Sequence, residues 1–314
     1  MLALWLIGLV VGIVVAAIAS RHAVGHALDV TDALGVSAGL VGVTVMAVGT
    51  DLPEIANSIM ASVSGHGDLN VGDSTGSALT QVTLILAILL FAAGSLDLTA
   101  RSDADVPIAV PVGLMTVGAL LTLATLLSDG ELQRWNGAVL VTGWGVSVWW
   151  MGRRESRSAG RSAIPGEAGG AAARAIGWLL VVGAASTLTV RSFVVITDEV
   201  GVPEFIASSV ILALGTSMPE LVVDWTAIRR GAAALAIGDL FGSSLVDATL
   251  SVGIGPLIAN TAVSPATVTG TLVIAIGIAV ATMVVVVVRE RRGLAISLLA
   301  VYAVSTVALM LLAE

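Results

Sequence analysis

Residues 49–81 read GTDLPEIANSIMASVSGHGDLNVGDSTGSALTQ, and residues 215–247 read GTSMPELVVDWTAIRRGAAALAIGDLFGSSLVD. The two stretches align without a gap, and 12 of the 33 positions are identical. The identities are chiefly Gly, Thr, Pro, Glu, Asp and Ser, not the lipid-compatible residues that low complexity would match by chance. The alignment therefore reports a duplication. Each copy places a Gly-Thr-x-x-Pro-Glu segment ahead of a Gly-Asp-x-x-Gly-Ser segment at the same separation.

Outward from these copies, the chain is almost entirely apolar. Of its 314 residues 57% are hydrophobic and only 11% charged, too little polar surface to solvate a globular domain of this size. Apolar segments long enough to cross roughly 30 Å of hydrocarbon recur from end to end. We expect ten spans, at 1–20, 30–63, 69–94, 105–127, 134–152, 174–197, 203–229, 233–259, 264–288 and 293–313. The first, lacking a basic start, reads as a retained helix and not a signal peptide. Gly49 with Pro53, and Gly215 with Pro219, should break their spans near mid-depth.

Five spans separate equivalent points, so the two copies must cross the membrane in opposite directions, about a pseudo-two-fold axis in its plane. That is the architecture of an alternating-access transporter. The expected fold is an all-α integral membrane protein of ten transmembrane helices in two inverted five-helix repeats. The first repeat is 1–152, with its motif in 37–81; 153–173 is a linker; the second repeat is 174–314, with its motif in 203–247.

The linker holds Arg153, Arg154, Arg157 and Arg161 and shares a side with Arg21, Arg101, Arg229, Arg230, Arg289, Arg291 and Arg292. The positive-inside rule then puts the linker in the cytoplasm and both termini outside, in a multi-pass protein of the cell (plasma) membrane. Absence of cysteine excludes disulfides and thiolate metal sites. His22, His26 and His66 fall near expected loops, and Trp144, Trp149 and Trp150 read as interfacial anchors beside the linker.

Glu54 and Glu220 occupy matching positions after the two breaks. A carboxylate at mid-bilayer costs several kcal/mol unless a cation, proton or partner offsets it. Each Pro removes a backbone donor and frees the carbonyl one turn earlier, pointing to Gly49 and Gly215 or their neighbours Ala47 and Ala213. Carbonyls, hydroxyls and carboxylates are the hard oxygen ligands that Na+ and Ca2+ take. Ser77 and Ser243 close the second segments, with Gln81 and Asp247 one helical turn further on the same face. Gly72 with Gly76, and Gly238 with Gly242, are spaced for close helix approach. Asp73 and Asp239 read as N-terminal caps of half-helices. Asp224 lies one turn beyond Glu220, but Ser58 is its repeat counterpart, so symmetry does not support a ligand role.

These residues resemble the paired alpha-repeats of the sodium/calcium exchanger family, within the cation/calcium antiporter superfamily. The resemblance implies a secondary transporter, not an enzyme, that exchanges Na+ for Ca2+ with Glu54 and Glu220 as shared ligands. It implies that Thr50, Ser77, Thr216, Ser217, Ser243, Asp247 and the carbonyls of Ala47 and Ala213 complete the sites, and that spans one and six slide over the remainder as a gate. Three departures stand out. Asp51 replaces Ser, Gln81 replaces Asn or Asp, and Asp73 and Asp239 replace Asn. Asp51 beside Glu54 is expected to alter ion selectivity or to add proton coupling.

The expected partners are Ca2+, Na+ and the lipid bilayer, with no cofactor and no nucleic acid; the expected assembly is a monomer, self-association staying open. A Ca2+/H+, K+-dependent or Mg2+ exchanger of the same fold is the nearer alternative. The remote one is an intramembrane aspartyl protease using Asp73 and Asp239, which leaves the matched glutamates unexplained.

Overall fold

Without water to satisfy it, a lipid-embedded backbone must close its hydrogen bonds within each segment, and these apolar segments are helical. The computed structural model describes residues 2–34, 36–92, 108–158, 165–197, 204–288 and 290–312. In chain order the helices are α1 (Leu2–Leu34), α2 (Ala38–Thr50), α3 (Leu52–Ser64), α4 (Gly67–Ala92), α5 (Ala109–Leu126) and α6 (Arg134–Ser158). The second half holds α7 (Pro165–Thr197), α8 (204–216), α9 (Met218–Arg229), α10 (Ala233–Ile258), α11 (Pro265–Val287) and α12 (Arg291–Leu311). The α2–α3 and α8–α9 pairs are each one interrupted span, giving ten spans among the described residues as two five-span repeats. Strands β1 (Glu131–Leu132) and β2 (Thr261–Ala262) pair antiparallel and clip the α5–α6 loop to the α10–α11 loop.

The breaks fall where the prolines place them. Asp51 (φ −80°, ψ 9°) and Ser217 (φ −79°, ψ 7°) leave helical geometry in the same way, and Pro53 and Pro219 sit in the first turns of α3 and α9. The first break bends the span by 47°. At its far end each half-helix turns on a matched glycine in the left-handed region, Gly65 (φ 80°) and Gly231 (φ 78°).

Helices α4 and α10 run through the middle of the molecule and are buried over most of their length. Each packs on the broken span of the opposite repeat, through the expected small-residue pairs. A Cβ at Gly76 would lie 2.6 Å from the Ser209 Cα on α8, and one at Gly242 would lie 2.5 Å from the Val43 Cα on α2. Real Cβ atoms do not come so close, so these glycines set the helix separation. The repeats are thereby interlocked, each core helix seated against the other repeat's break.

Helices α1 and α7 pack along each other, and their side chains, among them Ala19, Ala23, Ala27 and Val182, share a cluster with Val41 of α2, Val223 of α9 and Leu235 of α10, apart from the main core. Here the sequence expectation needs correction. The first helix does not stop at residue 20 but runs to Leu34, so His22 and His26 are helical, with His22 stacked on Trp178 of α7 at 4.4 Å. The exposed apolar side chains of α1 end at Ile18, and Arg21, His22, Asp29 and Asp32 face outward beyond it. The helix continues past its apolar stretch because α7, which begins at Pro165 and not at 174, supplies a packing surface. Of the linker, 159–164 lie outside the described residues, as do Arg101 and Arg289. On α6, the Arg153 guanidinium lies 4.1 Å over the half-exposed Trp149 ring.

Candidate metal centre

The two breaks meet at the centre of the bundle. Asp51 and Glu54 come from the α2–α3 break, Glu220 from the α8–α9 break, and one oxygen of each lies within 4.8 Å of the others. All three side chains are fully buried, and none of their six carboxylate oxygens has a hydrogen-bond partner. No Arg or His is buried among the described side chains, so none of these supplies a positive charge to this cluster. An unpaired buried carboxylate is among the least stable arrangements in a fold, and three sharing one site call for a cation from outside.

Around the acids the repeat symmetry holds down to single hydroxyls. The Ser77 hydroxyl on α4 is 3.0 Å from that of Thr216 and 3.5 Å from the Ala213 carbonyl. Its counterpart Ser243 on α10 is 3.2 Å from the Thr50 hydroxyl and 3.5 Å from the Ala47 carbonyl. The Ala47 and Ala213 carbonyls are not freed by the breaks, since the amides of Asp51 and Ser217 donate to them at 3.1 Å each. Pro53 and Pro219 leave Gly49 and Gly215 without that donor. Gln81 and Asp247, matched positions on α4 and α10, meet across the axis, the Gln81 amide donating to Asp247 at 3.1 Å. Gln81 Oε1, Asp247 Oδ1 and the Ser217 hydroxyl are buried without partners. Gln81 and Asp247 also open matched π-helical turns (Gln81–Ile85, Asp247–Ser251), a geometry that recurs at functional sites.

The fold thus brings together, from four helical segments, all twelve residues singled out from sequence. Two expectations fail. Asp73 and Asp239 cap no helix: each lies in the interior of its helix, fully buried. Nor do they form a catalytic pair. Asp73 accepts from the Asn57 amide at 3.0 Å and the Thr216 hydroxyl at 3.1 Å, while Asp239 faces Asp224, which removes the basis for an aspartyl protease. The Asn57–Asp73 bond escaped notice because its partners lie on different helices and Asn57 has no counterpart in the second copy, where Val223 stands.

Comparison with known proteins agrees with this geometry. The family model described as sodium/calcium exchanger protein matches residues 4–153 and 171–311. The inner membrane protein YrbG of Escherichia coli is 25% identical over 275 residues, covering 82% of this chain and 81% of that protein. The sodium/calcium exchanger MaX1 of Methanosarcina acetivorans is 24% identical over 294 residues, covering 79% and 81%. A solved structure of the sodium-calcium exchanger NCX_Mj soaked with Na+ and Sr2+ superposes with a TM-score of 0.76 at 21% identity, covering 98% of this chain and 99% of that one. With the family model spanning both repeats, this multi-pass membrane protein belongs to the sodium/calcium exchanger family of cation antiporters.

Proposed function

We propose that the chain exchanges Na+ for Ca2+ by alternating access, the two ions competing for one carboxylate cluster. The observation that carries this reading is the meeting of Asp51, Glu54 and Glu220 within 4.8 Å, buried and unpartnered, from two antiparallel copies of one motif. Glu54 and Glu220 bind both ions, with Asp247, Asp51 and the Gln81 carbonyl as further ligands. The hydroxyls of Thr50, Ser77, Thr216, Ser217 and Ser243 and the carbonyls of Ala47 and Ala213 complete the shell. This irregular oxygen set of long and short side chains suits Ca2+, which accepts six to eight ligands, better than Mg2+, which demands a compact octahedron and keeps its water.

Exchange is obligatory because the cluster moves past an apolar barrier only when neutralised. Loaded with Ca2+ or with several Na+ it carries far less charge than when empty; emptied, it cannot cross. The barrier is the α1–α7 pair. Its place over the first break supports a sliding role, with Leu179 covering Gly49 and Gly183 facing the Leu52 side chain. The linker within 153–173 faces the cytoplasm and both termini lie outside, as the arginine distribution requires.

Asp51 favours one variation on this reading. It makes a fourth acid beside Glu54, Glu220 and Asp247, so Ca2+ alone leaves the ionised cluster negative, and a coupled H+ or K+ would complete its neutralisation. Proteoliposomes holding the purified chain decide between them. Uptake of radiolabelled Ca2+ driven by an outward Na+ gradient is the expected result. Uptake that ignores Na+ and follows a H+ or K+ gradient, or that carries Mg2+ in place of Ca2+, would overturn the ion assignment.

A further inference from the structure

The central cluster does not exhaust the buried acid. Among the described residues seven carboxyl groups are fully buried, and three of them, Asp73, Asp224 and Asp239, lie outside the ligand set just described. The duplication supplies an internal control for them. In the first repeat Asp73 is satisfied by protein donors, the Asn57 amide and the Thr216 hydroxyl, while the neighbouring Ser58 hydroxyl accepts from the Gly255 amide at 3.1 Å. In the second repeat Asp239 takes the place of Asp73, Val223 that of Asn57 and Asp224 that of Ser58. An isopropyl group has replaced the amide donor, and a second acid has replaced the hydroxyl. The carboxyls of Asp224 and Asp239 face each other, with the Thr50 hydroxyl approaching Asp239 and the charge of Glu220 bearing on both. All four of their oxygens are buried without a hydrogen-bond partner.

Two ionised carboxylates in contact need a positive charge between them, and here the nearest side chains offer none. We propose that Asp224 and Asp239 hold a monovalent metal cation, Na+ or K+, at an accessory site found in the second repeat alone. Four carboxylate oxygens and one hydroxyl fall short of the six to eight ligands of Ca2+, and K+ prefers as many, so of the two monovalent ions Na+ fits this set better. The inference rests on the exchanger reading for the route by which ions reach the core. An ion here lies beside Glu220 and Thr50, so its presence screens the central cluster from one side only. The two repeats then differ in charge when they exchange conformations.

The test converts the second repeat into the first. The double variant V223N/D224S gives the second repeat the counterpart of the Asn57 amide and puts the hydroxyl of Ser58 in place of the second acid, and Asp224→Asn is a second variant that keeps the shape of the original side chain. Equilibrium binding of radiolabelled Na+, and of Rb+ in place of K+, is measured on monodisperse protein in lipid nanodiscs. Wild type is expected to saturate with about one more monovalent ion per chain than either variant. Equal saturation in wild type and both variants would overturn the proposal, as would a difference appearing only as protons released. Radiolabelled Ca2+ binding to wild type is read in parallel: its absence would strike the exchanger reading, whereas the Na+ and Rb+ counts judge the accessory site on their own.

Discussion

In the first repeat the break between α2 and α3 presents two acids, Asp51 and Glu54, and the aspartate behind it, Asp73, is bonded to Asn57. In the second, the break between α8 and α9 presents a serine and an acid, Ser217 and Glu220, and the aspartate behind it, Asp239, faces Asp224. Where the copies agree, matched residues build matched contacts: Ser77 on Thr216 mirrors Ser243 on Thr50, and Gly76 on α8 mirrors Gly242 on α2. Where they disagree, charge has moved from one half to the other. The shared positions carry the conserved geometry of an inverted pair, and the unshared ones set which cations each half attracts.

The largest effect should come from the matched acids. Glu54→Gln and Glu220→Gln should each weaken Ca2+ binding by about 100-fold, roughly 3 kcal/mol, measured by radiolabelled Ca2+ binding to purified protein. Near-equal losses are the symmetric outcome; full binding in either variant would break the equivalence of the two breaks.

Next come the glycines of the interlock. Gly76→Val and Gly242→Val each drive a branched side chain into a facing backbone, and should destabilise the bundle by about 2–3 kcal/mol or abolish folding. Heating followed by size-exclusion chromatography reads the loss. A tolerated valine at one position only would show that the two crossings are not equally tight.

Asp51→Ser gives the first break the chemistry of the second. It should change Ca2+ affinity by about tenfold and shift the Na+ dependence of uptake, without loss of folding. Ion dependence and pH profile identical to wild type would show that Asp51 is a bystander.

The smallest effect lies at the periphery, where the repeats cap their last helices differently. The first amide of α6 is capped in trans by Asn260 at 3.0 Å, whereas α12 is capped by its own Glu290, which accepts from the amides of Arg292 at 2.9 Å and of Gly293. Those bonds hold the exposed Glu290 carboxyl below the usual range. A lowered folded value means the stabilisation is present above the ordinary carboxylate pKa and is lost as pH falls through the folded one. Glu290→Gln should therefore lower the melting temperature slightly near neutral pH and not in strong acid. A deficit independent of pH would sink the charge argument, whereas Asn260→Ala should show no such pH dependence.

Most of the fold was legible because hydropathy and repetition are local signals. The start of α6 at Arg134 and of α10 at Ala233 were both read correctly from the chain. The length of α1 was not, because its second half is stabilised by α7 and not by lipid, and an alternation of Ala, Val and charged residues does not announce its partner. At the site, Glu54, Glu220, Gln81 and Asp247 were legible through their matched positions. Asn57 and the facing of Asp224 on Asp239 were not, because symmetry is silent where the copies differ.

Sequence by itself determined that the chain lies in a membrane, that its halves are inverted copies and that acids stand at two proline breaks, since composition and periodicity carry those facts residue by residue. Tertiary structure alone decided which polar groups satisfy one another and which are left bare. That depends on contacts between helices far apart in the chain, such as Asn57 with Asp73 and Gln81 with Asp247, and on buried oxygens with no donor in reach.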